Sequence, residues 1–250
     1  LNGNPPPFDP RDRVYIKRSL QGCFLTTLGS HLFVSELVYD LLEAAVALTD
    51  DNNLYIDDGL DGFPAFGFRP GSEVKQPYRL YLPEKLPAEF TLVATLKPTS
   101  FRTSYLFAVL NPFETVVQLG IRISVSTNQN VSLVYTNSDQ HSHSEEVAKF
   151  TVPKLTKKWS KIVLRVSMTD VTLYLNCHEM ARQRVTRIPL ELVFDTASTL
   201  YIAQAGPHIQ ERYDVSTQHK KRILHTLIRV TLHTLGFSLK KLKYRVINSD

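Results

Sequence analysis

The feature that most constrains this chain is a hydrophobic period of two, which sets in at Tyr78. Phe90, Leu92, Ala94 and Leu96 alternate with Thr91, Val93, Thr95 and Lys97. Val117, Leu119, Ile121, Ile123 and Val125 alternate with Gln118, Gly120, Arg122 and Ser124; Val131, Leu133 and Tyr135 follow. Ile162, Leu164, Val166 and Met168 alternate with Lys161, Val163, Arg165 and Ser167. Val171, Leu173, Leu175 and Cys177 alternate with Thr172, Tyr174 and Asn176, and Leu200 and Ile202 close the series. Successive side chains of a strand leave on opposite faces, so alternation means one buried face and one wet face, as antiparallel sheets require. Thr169-Asp170 separates two runs by two residues, which predicts a hairpin. Short strands with turn residues between them, and no βαβ rhythm, predict an all-β antiparallel sandwich over residues 35–213.

The flanks read differently. Residues 1–34 open with Pro5, Pro6, Pro7 and Pro10 and are expected to be disordered or weakly structured. Arg11 to Arg18 followed by Leu20–Val34 loosely matches a secretory signal, diluted by Gln21, Thr26, Thr27, Ser30 and His31. Ser35–Leu48 carries Leu37, Leu41, Leu42, Ala45 and Leu48 at helical spacing behind a possible Ser35 N-cap, so a short N-terminal helix is expected. Residues 214–250 hold eight Lys/Arg against two acids, whereas the whole chain carries +5. The basicity therefore belongs to this segment, expected to be an irregular basic C-terminal tail, although Leu224, Leu227, Ile228, Leu232 and Leu235 lie at helical spacing. Charge confined to one end is a weak argument for nucleic acid, and no nucleic-acid partner is expected. No run approaches 18 uninterrupted apolar residues, so no membrane span is expected.

Catalytic constellations are missing. The sequence has no G-x-S-x-G, no H-E-x-x-H, no Gly-rich phosphate loop and no strand with alternating carboxylates for glycoside hydrolysis. No catalytic residue, metal or cofactor is expected. His141 and His143 sit two apart beside Glu145 and Glu146, where an extended segment would aim both imidazoles one way, but the all-polar setting reads as a solvated loop. Asp57–Gly62 resembles part of a calcium loop without the full ligand set and reads as an acidic turn. Asn130-Val131-Ser132 is an N-glycosylation sequon at a strand start. Lys154, Lys157, Lys158, Lys161 and Arg165 cluster around Trp159, and Arg182, Arg184 and Arg187 follow the hairpin. Strand parity puts Lys161 and Arg165 on the wet face with Val163. Such a patch suits sulfate or carboxylate groups of a polyanion; its plain alternative is ordinary solvated charge.

Several stretches resemble one family. Leu86-Pro87-Ala88-Glu89-Phe90-Thr91-Leu92-Val93 is similar to the LP-x-x-F-[ST]-L opening of thrombospondin N-terminal-like domains, which are laminin-G-like sandwiches. Lys158-Trp159-Ser160-Lys161-Ile162 resembles their W-H-K-L strand, and Val171–Cys177 their V-T-L-Y-[VL]-D-C strand. Val116–Gly120, Val131–Thr136 and Leu200–Gly206 resemble the multiplexin collagens, types XV and XVIII. The resemblance implies a laminin-G-like or concanavalin-like jelly-roll. It also implies an extracellular, basement-membrane setting, a non-enzymatic role in matrix organisation and adhesion, and heparan sulfate or heparin as a ligand class. It departs from the family in three ways. The F-x-G-x-[LI]-x-x-L strand after Gly206 and the downstream cysteine are missing, so Cys177 would lack a disulfide partner within this chain. Asn176 also stands where the family has Asp. There is no Gly-X-Y repeat, so any collagen trimer would lie in the parent protein.

The function expected is that of a secreted matrix module. Sulfated glycosaminoglycans and matrix proteins are the expected partners, with Lys154, Lys157, Lys158, Lys161, Arg165, Arg182 and Arg184 as polyanion contacts. A ligand-free spacer on a collagen trimer and a lectin-type sandwich are the alternatives.

Overall fold

The computed structural model describes residues 36–46, 54–60, 64–68, 72–98, 103–125, 127–209 and 224–233. Compactness divides the chain into Leu1–Phe33 and Val34–Asp250, and every described residue belongs to the second unit. The expected weak structure of residues 1–34 lies outside the described residues.

The elements in chain order are β1 (Glu36–Asp40), α1 (Glu43–Val46), β2 (Leu54–Asp58), β3 (Pro64–Phe68), β4 (Val74–Pro77), β5 (Lys85–Leu86), β6 (Phe90–Lys97), β7 (Ser104–Leu110) and β8 (Val117–Val125). They continue as β9 (Gln129–Tyr135), β10 (Glu146–Val152), β11 (Ser160–Val166), β12 (Asp170–Leu175), β13 (His178–Arg184), β14 (Leu192–Val193), β15 (Thr199–Ile202), α2 (Gly206–Ile209) and β16 (Leu224–His233). The first sheet runs β13-β12-β11-β6-β16-β3-β2, with β1 also paired to β16; the second runs β10-β9-β8-β7-β15-β4. All registers are antiparallel. The fold class is therefore the antiparallel all-β sandwich the alternation implies.

The core lies between the two sheets. Phe90, Leu92, Ala94 and Leu96 of β6, Ile162, Leu164 and Val166 of β11, and Val171, Leu173 and Leu175 of β12 line it from the first sheet. Leu119, Ile121 and Ile123 of β8 and Val131, Leu133 and Tyr135 of β9 line it from the second. Each such side chain contributes on the order of 1.5–3 kcal/mol on leaving water. The Phe90 and Tyr135 rings stack across the layers at 6.4 Å. Tyr78 tilts against Phe194 at 5.1 Å.

Three local expectations need correction. Residues 35–48 do not form one helix: among the described residues of this stretch, Glu36–Asp40 is a strand and Glu43–Val46 is a helix. The strand gains a partner, with Leu37 opposite Leu232 and Tyr39 opposite Val230, which a solitary helix would not supply. Asp40 Oδ1 then accepts from Leu42 N–H at 3.1 Å and turns the chain into α1. The segment after 213 is not irregular throughout, because Leu224–His233 is inserted between β6 and β3. Thr226, Val230 and Thr231 are β-branched and favour strand, and Leu224, Thr226, Ile228, Val230 and Leu232 also keep period two. The first sheet thus possesses a strand beside β6, in the part of the chain that lacks the family's F-x-G-x-[LI]-x-x-L pattern. Finally, the strand read as Val171–Cys177 stops at Leu175. Asn176 and Cys177 both take positive φ, 49° and 70°, and make a tight two-residue hairpin turn into β13. Asn tolerates that conformation, and Asn176 Oδ1 also accepts from Lys161 N–H at 2.9 Å.

Candidate polyanion-binding face

The basic residues fall on the first sheet because of its register. Arg165 of β11 lies opposite Thr172 of β12, and Thr172 lies opposite Arg182 of β13. The same row continues through Thr91 of β6. Asp170 lies opposite Arg184, and Lys161 opposite Thr95. Residues paired across a ladder share a face. Lys161, Arg165, Arg182 and Arg184 thus emerge together on the side of the sheet away from the core. Arg165 and Arg182 are two strands apart, about 10 Å, and Lys161 and Arg165 are about 13 Å apart along one strand. Arg165, Arg182 and Arg184 are exposed, whereas Lys161 is half-buried. The middle of this face is not uniformly wet: Thr91, Val93, Val163 and Thr172 are buried.

Lys154, Lys157 and Lys158 are exposed in the β10–β11 connection. There, Lys157 takes φ 63° and its N–H donates to Pro98 O at 2.6 Å, which ties the connection to the end of β6. Lys97, at that end, holds its ammonium 5.9 Å from the centre of the Trp159 ring. Sequence reasoning passed over Lys97, because nothing in a linear reading places it beside Trp159; only its parity with Thr91, Val93 and Thr95 marked it as outward. Register also pairs Arg229 of β16 with Val93. Acids temper the face: Arg182 Nε is 3.8 Å from Asp170 Oδ1 and 3.9 Å from Glu179 Oε1. Exposed pairs of this kind hold each other by no more than about 1 kcal/mol, so they leave the arginine able to exchange partners.

Other expected positions sit elsewhere. Arg187 does not join the surface cluster; it is 3% exposed. Its Nη1 donates to Leu190 O at 3.1 Å, and its Nη2 donates to Ala88 O at 2.6 Å and to Ser167 O at 2.8 Å. The guanidinium also lies 4.9 Å from the Tyr135 ring and 5.8 Å from the Phe90 ring. Burial lowers its pKa, against the pull of Tyr135. Asn130 lies within β9, is 8% exposed, and its Oδ1 accepts from Thr151 Oγ1 at 3.0 Å. That placement argues against the expected glycan, since an attached sugar would need a route out of the sheet. Cys177 is disulfide-bonded, which departs from the expectation of a partner missing from this chain; the sequence's other cysteine, Cys23, lies outside the described residues. His141 Nδ1 is 3.0 Å from Glu145 Oε1 in the exposed β9–β10 connection. Among the described residues no helix is long and apolar enough to cross a membrane.

No family model matches the chain. The human collagen alpha-1(XVIII) chain is 28% identical over 173 residues, which is 68% of this chain and 9% of that one. The chain therefore spans about a tenth of the curated relative it matches. Among solved structures, domain 4 of the arabinanase AbnA from Geobacillus stearothermophilus, in complex with arabinotriose, is 15% identical, covers 73% of this chain and 77% of its own, and has a TM-score of 0.46. The Caenorhabditis elegans galectin LEC-6 is 12% identical, covers 72% and 96%, and has a TM-score of 0.37. The likeness read from the strand motifs holds: this antiparallel sandwich resembles the thrombospondin N-terminal-like domain of the multiplexin collagens, and collagen XVIII is a relative of it.

Proposed function

We propose that this sandwich is a non-enzymatic extracellular matrix module that holds sulfated glycosaminoglycan on the outward face of its first sheet. The carrying observation is the cross-strand row Arg165–Thr172–Arg182, with Lys161 on the same face. Lys157, Lys158 and Lys97 extend the positive charge past the end of β11. Arginine engages sulfate or carboxylate through paired donors, and lysine acts as a mobile point charge. Cations spaced about 10–13 Å apart on a rigid sheet suit a chain that carries an anion on successive sugar units. Likeness to a collagen chain supports a matrix setting, with matrix proteins as further partners.

Heparin–agarose chromatography of the full chain tests the reading. A variant with Lys157→Gln, Lys158→Gln, Lys161→Gln and Arg165→Gln is expected to elute at clearly lower salt than the wild type. Elution of both at the same salt would sink the site assignment. Failure of the wild type to bind any sulfated glycan would replace this reading with that of a ligand-free spacer.

A further inference from the structure

Where the first sheet ends, a cleft of about 580 Å³ opens between the β11–β12 turn and the segment after β13. Met168 and Thr169 form one wall, and Arg184, Thr186, Arg187 and Leu190 form the rest. The walls are tied together: Val185 N–H donates to Thr169 O at 2.9 Å, and Arg187 Nη2 donates to Ser167 O at 2.8 Å. The cleft is therefore built on hydrogen bonds between two separate stretches rather than on one loose loop.

Its chemistry combines two features that the polyanion face lacks. The first is a buried cation without a counterion. Arg187 is 3% exposed, yet it is held by three carbonyl oxygens and two aromatic rings. Among the described residues no carboxylate stands within ion-pair distance of it, and Glu89 acts on it only at longer range. Its Nε–H is buried with no acceptor. Neutral carbonyls satisfy hydrogens without cancelling charge, so the site keeps a positive potential inside a poorly solvated wall, where Coulomb attraction is stronger than in water. Exposed Arg184 adds a second cation at the rim. The second feature is apolar surface left in solvent. Met168 is 51% exposed, Leu190 40% and neighbouring Ile188 69%. A sulfated sugar would leave these side chains unmatched; a peptide with apolar flanks would cover them.

We propose that this cleft is a peptide-docking site that takes a carboxylate, flanked by apolar side chains, from a partner protein. The carboxylate sits against Arg184 and in the field of Arg187, and its neighbours cover Met168 and Leu190. The site shares Arg184 with the edge of the polyanion face, and Arg187, Met168 and Leu190 set it apart from that face.

Fluorescence anisotropy on the full chain tests this, with the fluorescein-labelled peptide Ser-Leu-Glu-Leu-Ser and its counterpart carrying glutamine in place of glutamate, both amidated. The acidic peptide is expected to bind at least tenfold more tightly than the amide peptide. Arg184→Glu is expected to remove that preference, and Met168→Ser to weaken binding of the acidic peptide severalfold. Both positions are exposed, so their melting temperatures should stay near the wild type. Equal binding of the two peptides, or none, would overturn the proposal, and the wild-type comparison decides this even if a variant misfolds. Displacement of the acidic peptide by a heparin tetrasaccharide would also overturn it, making the cleft an extension of the polyanion face.

Discussion

Raising the pH past 10 probes two buried phenols, one in each half of the second sheet. Tyr201 donates to Glu114 Oε1 at 2.7 Å, and Tyr135 lies within 2.9 Å of Pro189 O and 3.0 Å of Leu190 O. Burial pushes both hydroxyls up to about 12, helped at Tyr201 by the Glu114 hydrogen bond and opposed at Tyr135 by the Arg187 charge. An unfolded tyrosine titrates near 10. The fold holds these protons longer than the unfolded chain does, so their stabilisation is whole below about pH 10 and is lost as the pH climbs toward 12. Two pKa units correspond to about 2.7 kcal/mol per phenol, and the pair to about 5, a large share of the 5–15 kcal/mol that holds a domain together. Between the two pKa values, stability should fall by about 2.7 kcal/mol for each pH unit. Urea unfolding followed by Trp159 fluorescence at pH 8, 10, 11 and 12 measures this. Tyr135→Phe or Tyr201→Phe should cost about 1 kcal/mol at pH 8 through the lost hydrogen bond and remove about half of the alkaline slope. If the double variant loses stability between pH 10 and 12 as steeply as the wild type, the reasoning fails.

Two further outcomes follow from the same networks. Arg187→Met should destabilise the protein by about 3–5 kcal/mol, because Ala88 O and Ser167 O lose the guanidinium together and Leu190 O keeps only the Tyr135 hydroxyl, and a urea midpoint within about 1 kcal/mol of the wild type would show that they find others. At Glu114, burial pushes the carboxyl up, but hydrogen bonds from Lys75, 2.6 Å away, and Tyr201 outweigh it and hold the pKa below its ordinary 4.5. A depressed folded pKa gives stability that is present above the unfolded value and lost as the pH falls, so Glu114→Gln should flatten the acid limb below about pH 4.5; an unchanged acid midpoint would contradict this.

The sandwich was readable because its central strands place their large apolar side chains at every second position, even where the intervening Thr91, Val93 and Val163 are buried as well. Phe90–Lys97 and Ser160–Val166 spell out their sheet residue by residue, and the outward direction of Lys161 and Arg165 follows from parity. The same parity failed at β16. Leu224, Leu227, Ile228 and Leu232 fit a helix as well as a strand, and only a neighbour such as β6 decides between them. β1 failed for the same reason, since its partner lies almost two hundred residues later. Composition could not separate Arg187 from Arg182 and Arg184, although five residues decide whether a guanidinium meets water or two aromatic rings. The row joining Arg165 to Arg182 also depends on a register shift between Leu173 and Tyr174, which no periodicity reveals.

The place of β16 carries a consequence in time. β6 can pair with β11 once that strand has emerged, but its other side waits for a segment about 130 residues beyond it. At roughly 5–20 residues per second, synthesis leaves that edge unpaired for on the order of ten seconds. During this interval a row of backbone donors and acceptors on one of the most apolar strands of the chain is open to any extended segment, including the same strand of another nascent chain. A protein built this way depends on its surroundings to shield a half-made sheet, and shortening it before Leu224 would make the exposure permanent.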